Sequence, residues 1–258
     1  MKKVGISMPV ANEEATIVGF LEELTEKLSQ LPYSCTIYVV MDNFSKDATI
    51  NLVNNFAEKN GQVRLVFYGE STGAVSCYLE GFKAALADGC DYIIEMDSGG
   101  SHPPAKIKEI MQALYQEGFD VVFMSRFLKG GGIRNFPLYR RIVSQGGTIL
   151  ANLWLGTNYS DATSGMQAFR RKVLESMNLN AFISIGGIYQ TEMKYYCHKG
   201  GFKIKELPFV YVGTTTAFKM KWIWIALKVL FRIKYNKDQV LKSLPGLSDE
   251  EPGNQLKL

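Results

Sequence analysis

Five short apolar runs alternate with segments of helical periodicity along the first half of the chain, and this alternation most constrains the fold. The runs lie at residues 4–8, 36–41, 63–67, 92–96 and 119–124. Their lengths and polar flanks predict buried strands. Between the first two runs, apolar residues recur at helical spacing from Ile17 to Leu28, which predicts an amphipathic helix. The alternation therefore predicts an α/β fold with a doubly wound, mostly parallel sheet and helices on both faces.

The second half of the chain loses this regular alternation. The predicted elements are a glycine loop at 130–132, a long helix at 138–155, a polar turn at 161–165, a short strand at 166–169, a helix containing Gln190 and Glu192, and a strand at 202–212. From residue 237 onward the sequence is polar and contains two proline–glycine pairs. This composition predicts a largely disordered tail over residues 237–258.

The composition excludes several classes of protein. Of the 258 residues, 47% are hydrophobic and 21% are charged, so the chain is neither collagen-like nor wholly disordered. A net charge of +4 without a dense Lys/Arg cluster argues against a nucleic-acid partner and suits anionic ligands or lipid head groups. The four cysteines form no CxxC or Cys/His motif, which is typical of reduced thiols in a cytoplasmic protein. No apolar run reaches about 20 residues, so no membrane span is expected.

Polar residues that follow the strands are the functional candidates, because ligands of such sheets bind beyond the carboxyl ends of the strands. Asp97 is the most distinctive, since a carboxylate directly after a buried strand is unfavourable unless it is paired or binds a cation. Gly99 and Gly100 would let a ligand approach the backbone, and a carboxylate here could hold Mg²⁺ on a diphosphate. For Asp47 we favour a helix cap, and for His102 a hydrogen-bonded loop position.

Six motifs occur in a fixed order along the chain. They are residues 9–13 (PVANE), 42–49 (DNFSKDAT), 96–104 (MDSGGSHPP), 125–127 (SRF), 161–165 (DATSG) and 190–193 (QTEM). Together they resemble family 2 glycosyltransferases of the GT-A fold, and most closely the dolichyl- or polyprenyl-phosphate mannose and glucose synthases. The similarity covers about residues 4–235. It implies a Rossmann-like GT-A sheet and the inverting transfer of a hexose-type sugar from a GDP- or UDP-sugar to a polyprenyl or dolichyl phosphate.

The resemblance also implies roles for individual residues. It implies a glycosyltransferase domain over residues 1–236, with a nucleotide-sugar-binding half at about 1–128 and an acceptor half at 129–220. Nucleotide-sugar contacts would come from Pro9, Ala11, Glu13, Asp42, Asn43, Ser98, Ser101, Gln190 and Glu192. The catalytic residues would be Asp97, which holds a divalent cation (Mg²⁺ or Mn²⁺), Arg126 and Arg140. The acceptor phosphate would be bound by Arg126, Arg140 and Lys219.

The chain departs from the family pattern at three places. Gly99 stands where the family usually has a second aspartate, and Ser101 stands where another polar metal ligand is common. An arginine is missing from residues 212–219, where Lys219 is the remaining cation. One carboxylate fewer predicts weaker binding of Mg²⁺ or Mn²⁺.

The chemistry of the acceptor leaves three functions open. A phosphate acceptor is already anionic near neutral pH, so it needs no general base. A saccharide hydroxyl in glycan biosynthesis would need one, for which Asp47, Asp161 or Glu192 would have to serve. Because of Gly99, a protein that binds a nucleotide or a partner without turnover is the third alternative.

Residues 222–233 are almost wholly apolar and belong to a predicted helix at 221–236. Lys221, Lys228 and Arg232 would share one ridge of this helix, and Trp222 and Trp224 stand at its start. The segment is too short to span a bilayer unaided. It therefore predicts a helix at the cytoplasmic face of a membrane, with basic side chains toward the lipid head groups. A helix packed on the domain, or one in a homo-oligomer contact, is the alternative.

Overall fold

The computed structural model describes residues 1–41, 45–67, 69, 73–135, 137–213 and 221–241. The strands are β1 (Lys3–Pro9), β2 (Ser34–Met41), β3 (Val63–Phe67), β4 (Tyr92–Glu95), β5 (Val121–Ser125), β6 (Gly132–Arg134), β7 (Gln167–Arg170), β8 (Ile204–Pro208) and β9 (Val210–Val212). The helices are α1 (Ile17–Ser29), α2 (Thr49–Lys59), α3 (Ala74–Ala87), α4 (Ile107–Met111), α5 (Leu138–Leu155), α6 (Arg171–Glu175), α7 (Tyr189–Lys199) and α8 (Lys221–Val240). The five predicted strands and the long helix at 138–155 are confirmed, with bounds that differ by a few residues at most.

Within the described residues, seven strands form one sheet in the order β3-β2-β1-β4-β7-β5-β8. All neighbours in this sheet are parallel except β7, which runs antiparallel to both β4 and β5. The predicted mostly parallel α/β sheet is therefore confirmed. Because β1, β4 and β5 share one direction, their carboxyl ends and the loops that follow lie along the same edge of the sheet.

Two apolar clusters cover the two faces of the sheet. Alternate residues of β1, such as Ile6 and Met8, join α1, α2 and α4 in one cluster. Residues of the opposite parity, such as Tyr38 of β2 and Ile93 of β4, join α3, α5, α7 and α8 in the other. The sheet is thus buried on both sides, as its continuous apolar strands require, and polar side chains at its carboxyl edge are left to meet a ligand.

Two predictions about the second half of the chain were wrong in detail. The strand predicted at 202–212 divides at Phe209, which is buried between β8 in the main sheet and β9. β9 pairs with β6 outside the main sheet, so the chain must turn between the two strands. The disordered tail was predicted over residues 237–258, but α8 continues to Val240 and Leu241 forms a bridge with Met177, so residues 237–241 are structured. Residues 242–258 lie outside the described part of the chain.

The C-terminal helix α8 is partly packed and partly exposed. Leu230, Ile233 and Val240 are buried against the domain, and this face contacts α5 and α7. Trp224, Phe231 and Tyr235 remain 46–78% exposed. The helix is therefore packed on the domain along one face, as one of the alternatives from the sequence states, and its contact with a membrane stays a prediction. None of the described helices combines the length and apolar character needed to cross a bilayer.

Candidate active site

A cavity of about 270 Å³ opens at the carboxyl edge of the sheet, where β4 and β5 end. Its walls include Asp97 and His102 from the loop after β4, Arg126 after β5, Thr163 from the turn at 161–165, and Gln190 of α7. The structure thus brings residues of four of the six sequence motifs into one cavity. A second cavity of about 450 Å³ lies near α1 and α4. Among the described residues, neither an acidic side chain nor a histidine lines it, so it offers no comparable chemistry.

Asp97 presents its carboxylate at the rim of this cavity. Its side chain is 45% exposed, although the strand before it is buried. The Tyr78 hydroxyl donates a hydrogen bond to Oδ1, and His102 Nε2 lies 3.6 Å from Oδ2. The backbone N–H of Asp97 donates to His102 Nδ1 over 2.9 Å. The carboxylate is therefore oriented by two neighbours and still accessible to a ligand, as the sequence predicted for this position.

His102 is a neutral, buried imidazole. Burial lowers the pKa of His102, and the nearby Asp97 carboxylate opposes that effect only in part. Because Nδ1 accepts a hydrogen bond, the proton of the neutral ring resides on Nε2, which faces Asp97. A Cβ at Gly165 would lie 2.9 Å from the imidazole, so glycine lets the 161–165 turn approach the ring closely. His102 was predicted to be a hydrogen-bonded loop residue, and in the structure both of its ring nitrogens face Asp97, which it supports.

The ends of β1 and β4 are joined by Ser98. Its hydroxyl lies 3.1 Å from the carbonyl oxygen of Pro9 and 3.3 Å from Oε1 of Glu13. Ala11 is half-buried in the same loop, and Ser101 is buried. These predicted nucleotide contacts therefore lie beside the cavity rather than in its wall. Asp42 and Asn43, predicted to act with them, lie outside the described residues.

Asp47 and the loop after β1 form a second contact between motifs. The Asp47 carboxylate accepts hydrogen bonds from the backbone N–H and the hydroxyl of Thr49, at the start of α2. These hydrogen bonds lower the pKa of Asp47. The N-cap of α2 is Ala48 and no side chain caps it, so the helix-capping role predicted for Asp47 was wrong: its carboxylate bonds to Thr49, the first residue of α2, and does not line the cavity.

Arg126 is held in a buried ion pair. Its Nε and Nη2 donate to Oδ2 and Oδ1 of Asp161 over 2.7 and 2.8 Å, and Nη2 also donates to Thr163 Oγ1. Burial would raise the pKa of Asp161, but the hydrogen bonds and charge of Arg126 outweigh it and lower that pKa. Nη1 takes no part in these bonds. The guanidinium predicted to meet a phosphate is thus fixed in direction by Asp161, with one edge left for the cavity.

Beneath the cavity lies a polar network that the sequence analysis missed. Glu95 of β4 is fully buried and accepts hydrogen bonds from Gln190 Nε2 over 2.8 Å and from the Tyr189 hydroxyl over 3.2 Å. Burial raises the pKa of Glu95 to about 8, despite these bonds. The ring of Tyr189 stacks on Tyr78, the residue that holds Asp97. A glutamate inside the apolar run at 92–96 is the signal that could have pointed to this network.

Two predicted site residues lie elsewhere, and a third is not among the described residues. Glu192 is fully buried and accepts hydrogen bonds from the backbone N–H groups of Ile183 and Ser184, so its carboxylate anchors a loop and does not line the cavity. Arg140 is half-buried in the first turn of α5 and does not line the cavity either. Lys219 lies outside the described residues.

The described residues of the cavity wall offer a divalent cation one carboxylate ligand. They contain no group of three or more His, Cys, Asp or Glu side chains able to hold a metal ion, and Asp97 is the one carboxylate among them that lines the cavity. Protein sites for Mg²⁺ on phosphates use as few as one carboxylate and take their other ligands from phosphate and water. Asp97 is exposed enough to act in this way.

Three proteins similar to this chain in sequence are lipid-phosphate sugar transferases by name. A polyprenol monophosphomannose synthase of Mycolicibacterium smegmatis is 31% identical over 174 residues, which is 67% of this chain and 65% of that protein. An undecaprenyl-phosphate mannosyltransferase of Micrococcus luteus is 30% identical over 67% of this chain and 71% of that protein. A dolichol-phosphate mannosyltransferase of Pyrococcus furiosus is 28% identical over 95% of this chain and 69% of that protein. The chain thus spans about two thirds of the length of these relatives.

Solved structures support the fold independently. Glucosyl-3-phosphoglycerate synthase of Mycobacterium tuberculosis, crystallised with Mn²⁺, uridine diphosphate and phosphoglyceric acid, superimposes with a TM-score of 0.64 at 18% identity, covering 95% of this chain and 84% of that chain. At this identity the likeness concerns the fold. The sequence model of Glycosyl transferase family 2 matches residues 6–177, well over half of the chain. The chain therefore belongs to glycosyl transferase family 2.

Proposed function

We propose that this protein transfers a hexose, with inversion, from a nucleoside-diphosphate sugar to a polyprenyl phosphate. The observation that carries the proposal is the shared cavity of Asp97 and Arg126 at the carboxyl edge of the sheet. The names of the three relatives favour mannose as the sugar and a lipid-linked phosphate as the acceptor. Membership of the family supports the transfer reaction itself.

The donor would lie across the ends of β1 and β4. Pro9, Ala11 and Glu13 would contact the nucleoside, together with Asp42 and Asn43, and Ser98 would link this loop to the diphosphate side. Gln190 would face the sugar, because it lines the cavity and is fixed by Glu95. A divalent cation, Mg²⁺ or Mn²⁺, held by Asp97 would supply electrostatic stabilisation of the leaving diphosphate. Arg126 would add a fixed positive charge on the opposite wall.

The described cavity favours an acceptor that is already anionic. A hydroxyl acceptor needs a general base, but Asp97 is the one carboxylate that lines the described cavity, and its role is to bind the cation. Of the three candidate bases from the sequence, Asp161 is fully buried and bonded to Arg126, and Glu192 is fully buried and bonded to a loop. The third, Asp47, is bonded to Thr49 and does not line the cavity. A phosphate monoester needs no base. Arg126 would receive its charge, and Arg140 and Lys219 are proposed to contact it as well.

The exposed apolar face of α5 and α8 supports attachment to a membrane. Ile142, Ile149 and Leu153 of α5 are 60–78% exposed, although soluble monomers rarely expose such side chains as a continuous patch. The Trp154 ring of α5 packs on Phe231 of α8, which joins the two helices into one surface. Basic residues of both helices lie among these side chains, as expected for a helix pair in the head-group region of a bilayer. The four cysteines are free thiols, which supports the cytoplasmic face.

The test measures nucleotide binding first and transfer second. Titration calorimetry with GDP and UDP, with and without Mn²⁺, is expected to give binding that Mn²⁺ strengthens. Asp97→Asn is expected to lose the effect of Mn²⁺ and to reduce transfer to polyprenyl phosphate by about 100-fold or more. Asp91→Asn is the matched control. Asp91 lies just before β4, at the end of the strand away from Asp97, and its carboxylate pairs with Lys2.

Three results would overturn the proposal in different ways. Absence of heat with every nucleotide would exclude a nucleotide-sugar enzyme. Transfer to an oligosaccharide but not to polyprenyl phosphate would assign the saccharide-hydroxyl alternative. Nucleotide binding without transfer to either acceptor would leave a binding protein that does not turn over.

A further inference from the structure

Lys194 of α7 is a buried lysine that the proposed reaction does not use. The residue is 1% exposed, and its ammonium group lies 5.3 Å from the centre of the Phe123 ring. Nζ donates to the backbone carbonyl oxygens of Asp161 over 2.6 Å and of Ser164 over 3.0 Å. A buried ammonium is strongly unfavourable unless such bonds and opposite charges compensate for its lost hydration. An unbranched apolar side chain would fill the same space without that penalty.

The two carbonyl groups belong to the turn that shapes the cavity. Residues 161–165 contribute Thr163 and Ser164 to the cavity wall, and Asp161 to the ion pair with Arg126. Thr191, three residues before Lys194, donates to the carbonyl oxygen of Ala162 in the same turn. α7 therefore fixes this turn with one neutral bond and two bonds from a charged group.

The charge of Lys194 matters as much as its bonds. Charged groups that act on it are Arg126, Asp161 from the turn, Glu206 of β8 and Glu95 of β4. Without Lys194, Arg126 alone would face the carboxylates of Asp161 and Glu206. The excess negative charge behind the cavity wall would oppose an anionic ligand in a region of low dielectric constant. With Lys194 protonated, the two cations balance the two carboxylates.

We infer that Lys194 is a positioning residue for the anionic part of the ligand, which holds the 161–165 turn in place and offsets the carboxylates behind Arg126. The inference rests on the proposed binding of a nucleoside diphosphate. Burial lowers the pKa of Lys194 to about 8, so its charge is present at pH 7 and absent at pH 9.5. This window makes its charge separable from its packing.

The experiment compares wild type with Lys194→Met by titration calorimetry, using UDP, GDP and inorganic pyrophosphate at pH 7.0 and pH 9.5. Ionisation of the probe affects both proteins alike, so the ratio of their dissociation constants reports Lys194 together with Glu95, whose charge acts on it. We expect Lys194→Met to bind about tenfold more weakly at pH 7.0 and within about twofold of wild type at pH 9.5. Thr191→Val is the matched control. It removes a bond to the same turn without removing charge, so its effect is expected to be independent of pH.

Lys194→Arg keeps the charge at both pH values and tests the inference if the methionine variant does not fold. Its affinity is expected to fall less than that of wild type between pH 7.0 and pH 9.5, because Glu95 ionises in both proteins and only wild type also loses the charge at position 194. Equal affinity of wild type and Lys194→Met at pH 7.0 would overturn the inference. A tenfold difference that persists at pH 9.5 would also overturn it, because packing alone would then explain the loss. Failure of wild type to bind any nucleotide would instead contradict the proposed function.

Discussion

The cavity and the exposed apolar surface of α5 and α8 depart from the usual distribution of side chains in opposite ways. This α5–α8 surface consists of Ile142, Ile149 and Leu153 of α5 and Trp224 and Phe231 of α8. Around the cavity, charged groups such as Glu95, Asp161 and Lys194 are buried. On the α5–α8 surface, large apolar side chains such as Leu153 and Trp224 are exposed. Each arrangement is unfavourable for an isolated soluble domain.

The difference indicates what each region meets. Buried charges are stable here because they are paired and hydrogen-bonded, and their fixed orientation suits a small ligand that carries charge of its own. Exposed apolar side chains gain free energy when an apolar phase or another protein covers them. A charged sugar donor would bind at the cavity, and the membrane that holds a lipid-linked acceptor would cover the α5–α8 surface. Substitutions can change each region separately.

Asp161→Asn is expected to have the largest effect, because it breaks the buried ion pair and leaves Glu206 as the remaining counter-charge among those named for Arg126 and Lys194. Removing one partner of such a pair costs about 3–5 kcal/mol in free energy of unfolding. Urea denaturation at pH 7 measures this loss. Glu109→Gln is the control, because it breaks a surface pair with Lys106 and is expected to cost less than about 1 kcal/mol. A loss below about 1 kcal/mol for Asp161→Asn would mean that the pair contributes little to the fold.

Glu95→Gln tests the buried network through pH. Between pH 4.5 and 8 the folded protein keeps the Glu95 proton that the unfolded chain has lost. The free energy of unfolding therefore falls as pH rises through this window, by on the order of 5 kcal/mol for this group. The amide introduced by the substitution cannot titrate, so the variant is expected to lose less stability than wild type between pH 5 and pH 8.5. Identical losses in urea denaturation would show that Glu95 is ionised throughout.

Leu153→Glu tests the exposed surface. Leu153 is 78% exposed, so the fold is expected to keep its stability. Sedimentation with anionic vesicles is expected to fall about tenfold, since one apolar anchor is lost and a negative charge is added. Phe67→Glu is the matched control. Phe67 is 64% exposed and lies in β3, an edge strand of the sheet, so this variant is expected to bind vesicles as wild type does. A change of oligomeric state in Leu153→Glu, without a change in vesicle binding, would assign the surface to contact between copies of the chain.

The sequence predicts the first half of the fold well because its strands are buried on both faces and read as apolar runs. It also predicts that Asp97 and Arg126 follow strands, which is sufficient to bring them to one edge. It does not predict the antiparallel direction of β7. That direction depends on the path by which the chain enters the sheet between β4 and β5, and the apolar pattern of a strand does not record that path. Nor does it reveal the partner of Arg126, since Asp161 is 35 residues away and meets it only in the folded sheet. The exposure of α5 has the same origin, because helical periodicity does not state which face a neighbour covers.

Glu192→Gln has the smallest expected effect and tests whether the two regions communicate. Glu192 Oε1 accepts a hydrogen bond from the Tyr196 hydroxyl over 2.9 Å, and that hydroxyl accepts one from Asn236 of α8. The same carboxylate holds Ile183 and Ser184, which precede the glycines of the cavity wall. The amide places a donor against a backbone N–H, so we expect a loss of about 1–3 kcal/mol in stability and a rise of a few fold in the dissociation constant for nucleotide.

Tyr196→Phe separates the two ends of this connection, because it removes the link to α8 and leaves the loop bonds of Glu192 in place. Nucleotide affinity measured with and without vesicles is the readout. If α8 acts on the cavity through Glu192, vesicles are expected to change the affinity of wild type and not that of Tyr196→Phe. The same response to vesicles in both proteins would mean that the carboxylate only anchors the loop. A fall in kcat of about 100-fold for Glu192→Gln, with affinity and stability unchanged, would instead mean that Glu192 reaches the substrate, as the sequence resemblance implied.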